Sequence, residues 1–176
     1  MNKLILESYE GGEIDVFPVN RSGIALYQSN NCPRGEEYID LPLRLKEDTF
    51  YSFAYVFLNK YLNQKMLSQY RNVDIEGYSF DSYGDNLYTY SDVQCMLTEM
   101  TRTAREILFG KNTNMIKEMI QHLNPCIYKI YGSVDKEQLF DEHRNEIADY
   151  LLLFCDRIQL LMEQFPEHEL LNFQGP

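Results

Sequence analysis

The stretch SVDKEQLFDEHRNEIADYLLLFCDRIQLLMEQFP, residues 133–166, decides the fold. Within it Phe140, Ile147, Leu151, Phe154, Ile158, Leu161 and Phe165 recur every three, four or seven residues, the spacing at which apolar side chains share one face of an α-helix. Ser133 offers an N-terminal cap and Pro166 a stop. The spacing therefore predicts a helix from Val134 to Gln164, on the order of 45 Å long, with a break expected near His143. Such a helix must bury its apolar stripe, so the rest of the chain has to supply a core.

Working back toward the N-terminus, three more helices are legible. Phe50, Phe53, Ala54, Phe57, Leu58, Tyr61, Leu62 and Met66 predict one over Asp48 to Leu67. Ser91-Asp92-Val93-Gln94 reads as a capping box for a second, whose stripe runs from Val93 through Met96, Leu97, Met100, Ala104, Ile107 and Leu108 to a stop at Gly110. Thr113 caps a third, carrying Met115, Ile116, Met119, Ile120 and Leu123 and ended by Asn124-Pro125. Residues 126–131 read as a strand or a buried connector. Before residue 46 the pattern changes to short extended pieces, 3–9, 13–19, 24–28 and 36–41, separated by Gly, Asn, Ser and Pro, as in hairpins. An unstructured loop over 70–90 would be unusually long for a compact domain, so a hairpin turning at Ser82 to Asn86 is expected there.

The expected fold is α+β: a small N-terminal antiparallel sheet packed on a mainly helical body of about four helices. It forms a single domain over residues 1–172, with the sheet region at 1–45 and the helical region at 46–172. Phe173-Gln174-Gly175-Pro176 resembles the scar of a cleaved affinity tag and is set apart from the fold. At 176 residues, 44% hydrophobic and 14% aromatic, the chain can build a core without a metal or disulfide staple. Its four cysteines, Cys32, Cys95, Cys126 and Cys155, form no Cys-x-x-Cys pair and suit a reducing compartment, Cys95 and Cys155 reading as small hydrophobes within helices. With no signal-like or membrane-length apolar run, a cytoplasmic protein is expected.

A net charge of −11 and a pI near 4.7 repel phosphates, so direct nucleic-acid binding is not expected and a basic protein is the natural complement. Residues 134–176 alone carry −7. In the long helix Asp135, Glu142, Asp149, Asp156 and Glu163 repeat every seventh position on the side opposite the apolar stripe, with Leu153 and Leu160 between them. The bland account is a solvated face; the sharper one is a docking surface in which acids orient a partner and leucines supply contact. A second acid-and-aromatic region spans 70–90. There Asp74, Glu76, Asp81 and Asp85 alternate with Tyr78, Tyr83 and Tyr88, and no Lys or Arg follows Arg71. Tyrosines of this kind are common in binding sites. Displayed beside carboxylates, they could imitate a nucleic-acid strand to a basic nuclease; turned inward, they would only cap the core.

Catalytic signatures are thin. Gly11-Gly12 lacks the following helix and Lys of a phosphate loop, and His122 with Cys126 is separated by Pro125. His143 and Glu146, three apart on a helix, could serve a metal in a bundle, but no second such pair faces them. No catalytic residue, metal or cofactor is expected. The partner-binding residues expected are Asp74, Glu76, Tyr78, Asp81, Tyr83, Asp85, Tyr88, Glu142, Asp149, Leu153, Asp156 and Leu160. They point to an acidic cytoplasmic protein that neutralises a basic partner by occlusion, such as an immunity protein or inhibitor of a nuclease toxin. The alternatives are a self-associating scaffold or regulatory subunit, with Leu153 and Leu160 buried in a homodimer, and a helical-bundle metal-dependent enzyme.

Overall fold

The protein is described by a computed structural model over residues 13–19, 43–46, 53–63, 79–81, 84–123 and 135–174. The fold is α+β. Four strands, β1 (Glu13–Val19), β2 (Leu43–Lys46), β3 (Asp85–Thr89) and β4 (Leu170–Gln174), pair antiparallel in the order β2-β1-β4-β3. Five helices among the described residues make up the body: α1 (Tyr55–Tyr61), α2 (Tyr90–Leu108), α3 (Asn114–His122), α4 (Lys136–Glu142) and α5 (Arg144–Gln164).

The strand expected at 13–19 forms as read, whereas those expected at 3–9, 24–28 and 36–41, and the piece at 126–131, lie outside the described residues. The sheet also reaches well beyond the N-terminal region. β4 occupies a central position, with Val16 opposite Phe173 on one side and Asn86 opposite Phe173 on the other. Phe173 is fully buried, its ring 5.1 Å from Tyr88 and stacked on Phe154. Phe173 and Gln174 are therefore part of the central sheet, and setting them apart with 175–176 is corrected. Pro18, which has no amide hydrogen, lies past Val16, where the ladder with β2 ends, a place a strand tolerates proline.

Local chemistry sets the helix ends. At α2 the cap is Thr89, two residues before the expected Ser91. Its hydroxyl accepts from the Asp92 amide at 3.0 Å while Asp92 accepts from the Thr89 amide at 3.2 Å, a reciprocal capping box. The helix closes as the glycine predicted: Gly110 takes φ +68° and its amide donates to Ile107, while the Lys111 amide donates to Glu106. Thr113 caps α3 as expected. α1 stops at Tyr61, short of the expected Leu67, because Leu62 turns extended and Asn63 is taken up by Leu87 and Asp92. The long helix breaks at His143 as read, but its first segment, α4, is capped by Asp135 and not Ser133.

The apolar stripe of 133–166 forms the centre of the core. Phe140, Ile147, Leu151 and Ile158 are fully buried and Phe154 and Leu161 nearly so, with Phe165 packed partly buried against them. α5 runs antiparallel to α2: Cys155 lies beside the Leu97 carbonyl, Gln94 bonds Gln159, and Arg144 donates to the Ile107 carbonyl at the end of α2. That last contact places a cation on the negative end of the α2 dipole. Glu99 ties α1 to α2. Lys60 donates to both its oxygens at 2.8 and 2.7 Å, Tyr61 donates at 2.7 Å and Arg102 at 3.2 Å.

Candidate functional site

The site grows out of what the core leaves over on α5. The core claims one side of the helix, so the side chains at 149, 153, 156, 160 and 163 face out at alternating steps of four and three. Asp149, Asp156 and Glu163 are exposed, and Leu153 and Leu160 are 41% and 57% exposed. This is the seam spacing of a coiled coil, with acids at one repeating position and leucines at the other. Asp149 and Asp156 form no ion pair among the described residues, and Glu163 accepts from Gln159 at 2.9 Å. Leucines without cover, flanked by carboxylates that form no ion pair among the described residues and interrupted by the exposed Arg157, make a surface that gains by contact with another molecule.

Only part of the sevenfold acid repeat belongs to this seam. Asp135 caps α4 by accepting from the amides of Glu137 and Gln138, and Glu142 ends α4, where Gln138 bonds it. The break at His143 separates both from the continuous stripe. Glu142 is exposed but stands on the shorter helix.

The second expected region divides differently. Tyr88 is fully buried and its hydroxyl donates to the Leu58 carbonyl at 2.9 Å, so its assignment as a displayed binding ring is corrected: β3 lays it into the core. Phe80 is buried too. Asp85 accepts from Asn172 at 2.7 Å, and Asn172 in turn accepts from the Asn86 amide. Asn86, fully buried, holds the loop before β3 by bonding the carbonyls of Asp81, Gly84 and Phe173 and accepting from the Asp81 amide. Asp81 and Asp85 thus border a buried amide network. Most of the first arm of the hairpin expected within 70–90 lies outside the described residues, and β3 begins at Asp85, inside the expected turn at Ser82 to Asn86, and pairs with β4. Asp74, Glu76, Tyr78 and Tyr83 lie outside the described residues.

Residues that the periodicity did not single out complete the outer surface. On α2, Ser91, Cys95, Thr98, Arg102 and Arg105 are exposed at the same four-three spacing, so a second seam, small at one end and cationic at the other, runs beside α5. Thr98, Arg105, Phe109, Cys155 and Asp156 border an open groove of about 690 Å³ between the two helices. Where α2 ends, Leu108 is 47% exposed, which corrects its place in the buried stripe, and Phe109 is 79% exposed. The four-three interval of exposed positions at 91–105 was the available signal, hidden because no apolar residue marks it.

Cys155 is buried and its thiol is pushed up to about 11 by burial, as suits a core thiol, whereas Cys95 is exposed, correcting its reading as a small hydrophobe. His143 Nδ1 lies 3.4 Å from Glu146, and among the described residues no group of three or more His, Cys, Asp or Glu is placed to hold a metal. Burial pushes the Tyr61 hydroxyl up to about 12, helped by its bond to Glu99. Burial likewise pushes Tyr90, which donates to the Phe165 carbonyl, up to about 12. No helix among the described residues is long and apolar enough to cross a membrane. Compared with known proteins, the chain matches no family model, no curated protein and no solved structure, so its function has to be read from its own surface.

Proposed function

We propose that the protein is an acidic cytoplasmic binding protein that neutralises a basic protein partner by occlusion, in the manner of an immunity protein or inhibitor of a nuclease toxin. One observation carries this reading. The exposed seam of Asp149, Leu153, Asp156, Leu160 and Glu163 combines uncovered leucines with carboxylates on the most acidic part of the chain. A partner rich in Lys and Arg is steered to such a surface by the field, and the leucines slow its release. With Tyr88 interior and Asp85 tied to Asn172, this reading rests on the α5 seam and not on Asp81 and Asp85. A basic nuclease toxin is expected to be encoded beside this gene, and the test is growth protection: cells expressing that toxin should survive when the chain is co-expressed. The doubly substituted Asp149→Lys, Asp156→Lys chain should fail to protect while melting at the same temperature. Equal protection by that variant, or none by the native chain, overturns the reading.

A further inference from the structure

We propose that a second copy of the chain covers the α5 seam in the absence of a basic partner, through a two-fold symmetric four-helix arrangement in which α5 of each copy lies on α2 of the other. The dimer rests on the reading of α5 as a binding surface and adds a mode of regulation to it.

The two outer seams face the same side of the molecule, since Thr98 and Arg105 of α2 and Asp156 of α5 border one open groove. The helices are antiparallel, with Leu97 level with Cys155, Gln94 with Gln159 and Ile107 with Arg144. Counting from these pairs, Leu160 is level with the stretch between Ser91 and Cys95, Leu153 with Thr98, and Asp149 with the stretch between Arg102 and Arg105. A two-fold axis between two such layers, parallel to the helices, sets α2 of one copy on α5 of the other with those levels unchanged.

In that arrangement each leucine meets small side chains, as a knob meets a hole, and Asp149 meets guanidinium groups. The complementarity lies in size and charge at once, and symmetry makes it twice over. Arg105 forms no ion pair among the described residues, so it is available to Asp149 of a second copy. The net charge of −11 per copy opposes association, but at physiological salt that repulsion is screened beyond about 8 Å, while apposed seams interact at contact. Arg102 and Arg105 of the second copy would then stand in for the cations of a basic partner, and that partner would have to displace it.

Sedimentation equilibrium of the full chain, from micromolar to millimolar, reads the association directly. A dimer is expected, weakened at least tenfold by Asp149→Arg alone and by Arg105→Asp alone. Mixing these two variants should restore a heterodimer. In one of its two helix pairs the introduced arginine faces the introduced aspartate, and in the other the native Asp149 and Arg105 meet as before. Thermal melts of both variants establish that they are folded. Leu153→Asp should give a monomer. A chain that stays monomeric at millimolar concentration overturns the dimer, as does a dimer indifferent to Leu153→Asp or a mixture without rescue. In each of those cases toxin protection by the native chain would leave the proposed function standing. A dimer with rescue but no protection would sustain the interface and remove neutralisation.

Discussion

Two regions of this chain combine acids with large apolar side chains, and the fold treats them oppositely. Among the described residues of 80–90, Phe80, Leu87 and Tyr88 turn inward and are buried, and Asp85 is tied to Asn172. The outer side of α5 leaves Leu153 and Leu160 in solvent among carboxylates that no cation neutralises among the described residues. Composition is similar, so the difference comes from what each backbone pairs with. A strand beside β4 has a core face to offer its tyrosine, whereas a helix whose one side already fills the core has only solvent for the other. Acid-and-aromatic composition therefore marks a binding surface only after the backbone has filled its buried positions.

Substitutions that break this contrast should be graded. Removing residues 173–176 should have the largest effect, because Phe173 sits between β1 and β3; a loss of about 4 kcal/mol, as for truncating a buried phenylalanine, is expected in urea unfolding. Asn86→Ala, which strands the carbonyls of Asp81, Gly84 and Phe173, should cost about 2–3 kcal/mol in the same measurement. Asp85→Lys should lose about 1–2 kcal/mol through the Asn172 contact. On the other region, Asp149→Lys and Asp156→Lys should each stay within about 0.5 kcal/mol of the native chain while reducing toxin protection. If Asp85→Lys proved neutral and Asp149→Lys destabilising, the contrast would be reversed.

The acid limb of stability offers a subtler check. Burial alone would raise the Glu99 carboxyl, but the Lys60 and Tyr61 hydrogen bonds outweigh it and hold it below its ordinary value. A carboxyl depressed on folding contributes stability above its unfolded value near 4.5 that is lost as pH falls through the lower folded value. Glu99→Gln should therefore flatten the stability profile in that window, measured by thermal melts between about pH 3 and 7, while substitutions at Asp149 leave that limb in place.

Much of the helical body was legible because its signals are local. The stripe through Ile147, Leu151 and Ile158, the stop at Gly110, the cap at Thr113 and the break at His143 are each written within a few residues. The sheet was not, because its partners are remote: nothing near Phe173 says that Val16 and Asn86 will flank it. Tyr88 misled for the same reason, since the Leu58 carbonyl that receives its hydroxyl lies 30 residues away on α1. Of the candidate site, the α5 seam followed from the helical period. The α2 seam escaped it because serine, cysteine, threonine and arginine share no hydropathy, only an interval.

The central place of β4 also has a consequence for biosynthesis. Val19 pairs with Leu170, so about 150 residues must be translated before β1 meets this neighbour, on the order of 10 s on a ribosome. Until then that side of β1 is an open edge on a nascent chain, a natural substrate for a chaperone and the earliest point at which slow elongation would invite aggregation.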